Sequence, residues 1–286
     1  MTSKTVMGLD LSEYQQYLTD YQKQYYNFKG DALGTSQALM LFLKNCGVNT
    51  ISVKVAVDPA SNNKKTLSLD SAAKTLAAAK KAGLKTNVVL LYSDEMTYAK
   101  TQTLPTKWQQ LKPAELLDTA KNYTEKTLMS LKAAAAQPDM VTIGHDVNYN
   151  FLGLTGNDTN EWNGYYDMAQ LSQVVTKLDS HTQVALGFAT PKVNDFQWVL
   201  QALGKVQAKY NILGLTVYPT DETNADIAKL RDQFAQVAPD KQLVVSGVKF
   251  AKQSNDKTAS VAKQTANILS VACQYRKRSE CWGDYT

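Results

Sequence analysis

The 286-residue chain is poor in the side chains that most often carry metals, with three cysteines and two histidines, His145 and His181. A structural zinc site needs four ligands at set spacings, so no metal ligand is assigned and no cofactor is implied. Arginine is scarce too, at Arg231, Arg276 and Arg278 only. The lysines that bring the net charge to +5 are spread along the chain rather than gathered with aromatics on one element, which argues against a nucleic-acid partner. No apolar run approaches the roughly 18 residues that span a bilayer, so no membrane partner is expected. The stretch 39–43 is closed at once by Lys44. Residues 1–6 are too short and too polar for a secretory signal. A composition of 44% hydrophobic and 20% charged residues excludes a disordered or low-complexity chain.

What is present is an alternation of short β-rich runs with amphipathic helical stretches. Strands are predicted at 6–11, 50–57, 86–92, 140–144, 184–188, 212–217 and 243–248, with a short eighth at 280–282. Helices are predicted at 36–46, 68–82, 113–135, 168–178, 196–210, 225–237 and 258–275. Gly47 and Gly83 stop the first two helices, and Pro113 opens the third. Apolar strands without polar alternation, each followed by a helix, imply a parallel sheet covered by helices. Seven or eight such units without a composition break predict an α/β fold, a (β/α)8 TIM barrel in a single domain over residues 1–286. Gly8-Leu-Asp10 carries one glycine after the first strand, so a dinucleotide-binding loop is not expected.

In such a barrel the chemistry sits at the C-terminal ends of the strands. Those ends supply Asp10, Lys54, Tyr92 to Glu95, His145-Asp146, Tyr218, Gly247 and Trp282, a polar and aromatic set suited to a sugar cleft. Trp108, Trp162 and Tyr149 are further ring candidates. Tyr14, Tyr17, Tyr21, Tyr25 and Tyr26 follow helical spacing and predict an amphipathic helix in the first loop. Cys46 is expected buried in its helix, whereas Cys273 and Cys281, eight apart, are spaced so that they could bridge.

Several motifs then occur in one order: Gly47-Val-Asn-Thr before the second strand, Tyr92-Ser-Asp after the third, and Thr103-Leu-Pro-Thr-Lys-Trp108 in the following loop. Asn122-Tyr-Thr, Gln137-Pro-Asp-Met-Val-Thr-Ile-Gly144 and Gly214-Leu-Thr-Val-Tyr-Pro219 continue the series. From Gly8 to Trp282 the chain resembles the family 53 glycoside hydrolases, endo-β-1,4-galactanases acting on galactan and arabinogalactan. The resemblance implies a (β/α)8 barrel, an extracellular setting, and a retaining mechanism with glutamates at the ends of strands four and seven. It places the acid/base on Asp146, beside His145, where the family has Asn-Glu. The nucleophile falls on Gly247 or beside it, in Val244-Val-Ser-Gly247. The family's arginine on strand two falls on Lys54 and the tryptophan after it on Ala56. An aspartate and a histidine fall on Val89 and Leu91, and a strand-five histidine near Gly187.

A retaining glycosidase holds its two carboxyl groups about 5–5.5 Å apart. A glycine cannot supply the attacking oxygen, and Asp146 is one methylene, about 1.5 Å, shorter than glutamate. The expected reading is a galactanase-like pseudoenzyme binding a galactan-like polysaccharide or oligosaccharide, or a protein partner, through the former cleft. Its candidate ligand-binding residues are Asp10, Lys54, Asp94, Trp108, His145, Tyr218 and Trp282. Two rivals stand beside it. One is an active hydrolase pairing Asp146 with a relocated carboxylate such as Asp94, Glu95, Glu280 or Asp284. The other is a protein-interaction or decoy molecule without sugar binding.

Overall fold

The computed structural model describes residues 7–19, 24–59, 67–147, 150–155, 163–189, 193–218, 223–248 and 279–283. Its strands are β1 (Met7–Asp10), β2 (Thr50–Val55), β3 (Lys85–Leu90), β4 (Met140–Val147), β5 (Asn150–Phe151), β6 (Leu154–Thr155), β7 (Gln183–Ala189), β8 (Ile212–Val217), β9 (Gln242–Val248) and β10 (Ser279–Gly283). The helices are α1 (Tyr14–Thr19), α2 (Ser36–Asn45), α3 (Leu69–Lys81), α4 (Pro113–Ala133), α5 (Asn163–Leu178), α6 (Val193–Lys205) and α7 (Thr223–Val237). Eight strands close a parallel barrel in the order β1-β10-β9-β8-β7-β4-β3-β2, while β5 and β6 form a separate antiparallel hairpin. The predicted helix at 258–275 and Cys273 lie outside the described residues, as do Tyr149, Trp162 and Asp284.

Local chemistry explains the boundaries. Thr35 caps α2 by accepting from the Ala38 amide at 3.1 Å, and Ser68 caps α3 by accepting from Ser71 at 3.2 Å. At the start of α4, Pro113 takes the first helical position and the Glu115 carboxylate accepts from the Lys112 amide at 3.1 Å. Val48 donates to Leu43 O and Leu84 to Ala79 O, the backbone bonds that close a helix through a left-handed residue.

The strands do alternate, contrary to the sequence expectation. Outward positions such as Val53, Leu90, Ile143, Leu186 and Leu215 join the main core under the helices. Inward positions include Ser52, Lys54, Asn87, Thr142, Thr216 and Ser246. The barrel interior is narrow, so it takes small polar side chains that hydrogen-bond across it: Asn87 donates to Ser52 at 2.9 Å and Thr142 to Asn87 at 3.0 Å. An apolar plug of Met140, Ala185, Ile212 and Val244 seals the bottom.

Two further expectations fail. Cys46 is exposed, because it follows the last turn of α2 as that helix reaches solvent. The tyrosine series does not form one helix: α1 ends at Thr19, Tyr25 folds back so that its ring lies 5.6 Å from that of Tyr14, and Tyr26 bridges to Ala32.

Candidate functional site

The sequence expectation ended the fourth strand at Gly144, yet β4 runs to Val147 through a bulge. Its register with β7 shifts between Ile143 and Val147, and Gly144 (φ 73°) and Asp146 (φ 55°) are both left-handed. A left-handed aspartate is uncommon backbone, found where a turn re-aims a side chain. Room for the bulge comes from the neighbouring strand. A Cβ on Gly187 would stand 2.3 Å from the Gly144 carbonyl oxygen, so only glycine lets β7 pass beneath it.

The bulge delivers Asp146, 0% exposed, to the mouth of the barrel. The Tyr218 hydroxyl donates to Asp146 Oδ2 at 2.6 Å, and His145 Nε2 stands 3.6 Å from Asp146 Oδ1. His145 Nδ1 lies 3.1 Å from the Thr97 carbonyl, which makes Nδ1 the donor and turns Nε2 toward the carboxylate. Burial raises the Tyr218 pKa, and its bond to the Asp146 carboxylate and that group's charge raise it further. Tyr218 is therefore a hydrogen-bond donor to Asp146 and not a phenolate nucleophile.

Across the barrel, the inward residue at the end of β9 is Ser246, not Gly247. Val245 pairs with Leu215, the register then slips, and Gly247 pairs with Thr216, so Ser246 is the bulged residue and lines the interior. Gly214 clears space for it, since a Cβ there would lie 3.2 Å from Ser246 Cβ.

Asp10 and Lys54 form a buried ion pair on the opposite wall. Ser12 donates to Asp10 Oδ1 from its amide at 2.8 Å and its hydroxyl at 2.6 Å. Burial alone would raise the Asp10 pKa, but the Lys54 charge and these hydrogen bonds hold it below the ordinary carboxylate value. The interior space bounded by Asp10, Lys54, Asn87, His145, Asp146 and Ser246 amounts to about 30 Å³. That is room for water, not for a pyranose ring.

Asp94 and Trp108 are not brought to this floor. Asp94 caps two loops, accepting from the Asp58 amide at 3.0 Å and the Thr106 amide at 2.9 Å. Trp108 is buried in the core with its ring 5.9 Å from that of Tyr123, so it is a packing residue. Trp282 pairs in register with Gly8, and Glu280 with Val244. Where the resemblance expects tryptophan, aspartate and histidine, Ala56, Val89 and Leu91 form an apolar cluster with Leu67 and Met96.

Two residues escaped the sequence reading. Tyr98, half-exposed in the loop before α4, lies near enough to Tyr218 to bear on its ionisation. No periodicity marks it, because it sits on a turn. Asp167 on α5 is pushed up to about 7 by burial, partly offset by Lys121, but it does not line the interior. Among the described residues no cluster of three His, Cys, Asp or Glu side chains is placed to hold a metal ion, and no helix is long and apolar enough to cross a membrane.

The chain is similar to a family 53 catalytic domain from Ignisphaera aggregans, with a TM-score of 0.84 at 20% identity over 98% of this chain and 84% of that one. It is also similar to a fungal β-1,4-galactanase structure, with a TM-score of 0.82 at 22% identity over 98% and 89% of the two chains. At these identities the likeness shows the fold. An arabinogalactan endo-β-1,4-galactanase of Cellvibrio japonicus is 29% identical over 160 residues, 53% of this chain and 42% of that protein. One from Thermothelomyces thermophilus is 25% identical over 222 residues, 72% of this chain and 63% of that protein. The chain thus spans less than two thirds of the length of these curated relatives. The profile of glycosyl hydrolase family 53 matches residues 6–284, and the chain belongs to that family.

Proposed function

We propose that this chain is a non-hydrolytic member of family 53 that acts outside the cell and binds a neutral β-galactan-type glycan at the β4 and β8 side of the barrel mouth. The observation that carries the reading is Ser246, an alcohol on the inward seat at the end of β9 where a retaining galactanase needs a carboxylate. Serine attacks only when a neighbouring base takes its proton. Asp10, a second carboxylate lining the interior, is neutralised by Lys54 and Ser12. The same engagement argues against an inverting route, which would need a second carboxylate available to activate water about 6.5–9.5 Å from Asp146. Family membership and the galactanase names of its relatives support galactan as the ligand.

The reading is tested by calorimetric titration of β-1,4-galactan oligosaccharides beside an assay for new reducing ends. Saturable binding without cleavage is expected. Cleavage that Asp146→Ala abolishes would overturn the non-hydrolytic reading in favour of an altered hydrolase. The apolar cluster of Ala56, Val89, Leu91 and Met96 favours a second reading, a protein-interaction molecule without sugar binding. Absence of any galactan binding would select it.

A further inference from the structure

Above Asp146 the barrel mouth carries two tyrosines that leave a large part of their surface to solvent, Tyr98 at 49% and Tyr218 at 40%. They arrive from different elements. Tyr218 follows β8 and is fixed by its bond to Asp146. Tyr98 sits on a four-residue turn, closed by Tyr98 N to Thr101 O at 3.0 Å and Thr101 N to Tyr98 O at 2.9 Å. That turn is stitched to the β4 bulge. The Gln102 side-chain Nε2 donates to the carbonyls of Tyr98 (3.1 Å), His145 (3.0 Å) and Asp146 (3.2 Å), and the Thr97 hydroxyl donates to the His145 carbonyl at 2.9 Å. The Tyr218 ring and the backbone that carries Tyr98 are thus held in place before any ligand arrives, which lowers the ordering cost of binding.

We infer that Tyr98 is a ligand-binding residue that forms, with Tyr218, a platform for a neutral pyranose seated over Asp146. This rests on the glycan-binding reading and adds to it the residue and a structural reason for the neutral charge class. A pyranose presents axial C–H groups on one face and hydroxyls at its rim. A tyrosine ring offers a face with negative partial charge to the first and a phenol to the second. The charge class follows from the floor, where a uronate would place its carboxylate over that of Asp146, while the buried Lys54 is already committed to Asp10. Next to β4, the ends of β2 and β3 carry the apolar cluster of Ala56, Val89, Leu91 and Met96.

The test titrates β-1,4-galactotetraose and a galacturonan oligosaccharide against the wild type, Tyr98→Leu, Tyr98→Phe and Phe28→Ala, with melting temperature as the folding check. Leucine keeps bulk and loses the ring, whereas phenylalanine keeps the ring. Phe28, 89% exposed on the outer surface against Phe42, controls for exposed aromatics in general. Expected are galactotetraose binding by the wild type, a loss of about tenfold or more in Tyr98→Leu, and retention within about threefold in Tyr98→Phe and Phe28→Ala. If the wild type binds and folded Tyr98→Leu binds equally well, Tyr98 is not a ligand residue and the glycan-binding reading stands without it. If the galacturonan binds as tightly, the neutral class is wrong. If the wild type binds no galactan oligosaccharide, both readings fall.

Discussion

Lys54 stands where a galactanase is expected to carry arginine, and the substitution changes what that wall of the barrel does. Its ammonium is spent on Asp10, and its amide donates to the Ser12 hydroxyl at 2.8 Å, so the residue closes a buried network. Removing it leaves Asp10 charged and uncompensated. Lys54→Ala is expected to cost about 3–5 kcal/mol of stability at neutral pH, read by chemical denaturation. The pH dependence has a definite sign. In the wild type the lowered Asp10 pKa contributes stability that is present above 3.8 and lost as pH falls through the folded value. In the variant that contribution is gone, so the gap between the two proteins narrows toward acid. The identity of Lys54 as an inward strand-end residue was legible from its position in the second strand. Its choice of Asp10 rather than Asp146 was not, because sequence alone left both within the same barrel mouth.

At the level of elements, helix ends and strand order were readable because caps, left-handed stops and apolar runs are local. The β4 bulge was not. It depends on a contact between Gly144 on one strand and Gly187 on the next, residues 43 positions apart. Gly187→Ala is expected to cost about 1–3 kcal/mol, since the obstacle is backbone and cannot rotate away, with a fall of several degrees in melting temperature. Gly204→Ala is the matched control in α6, where an added Cβ meets nothing within 4 Å, and it is expected to be neutral or mildly stabilising. The register slip in β9 has the same character. From the sequence, Gly247 or its neighbour held the nucleophile place; the ladder puts Ser246 inward because one extra residue is absorbed just before Gly247.

For the whole molecule, a net charge of +5 spread over a closed barrel predicts how a ligand should respond to salt. Binding of a neutral galactan releases few counterions, so its affinity should change little between about 50 and 500 mM salt. A steep fall would mark a polyanionic ligand held by surface lysines. By itself the sequence determined the alternating elements, the barrel they build and the galactanase family, because hydrophobic periodicity and ordered motifs are written along the chain. It also determined that His145-Asp146 follows Ile-Gly144 and that no glutamate follows the Val-rich run. Only the tertiary structure decided which residue faces inward at the end of β9, that Trp108 and Asp94 serve packing and loop capping, and that the turn carrying Tyr98 is tied to the β4 bulge. Those outcomes depend on register and on loops crossing between strands, and a side chain's neighbours across a barrel are set by closure, not by its place in the chain.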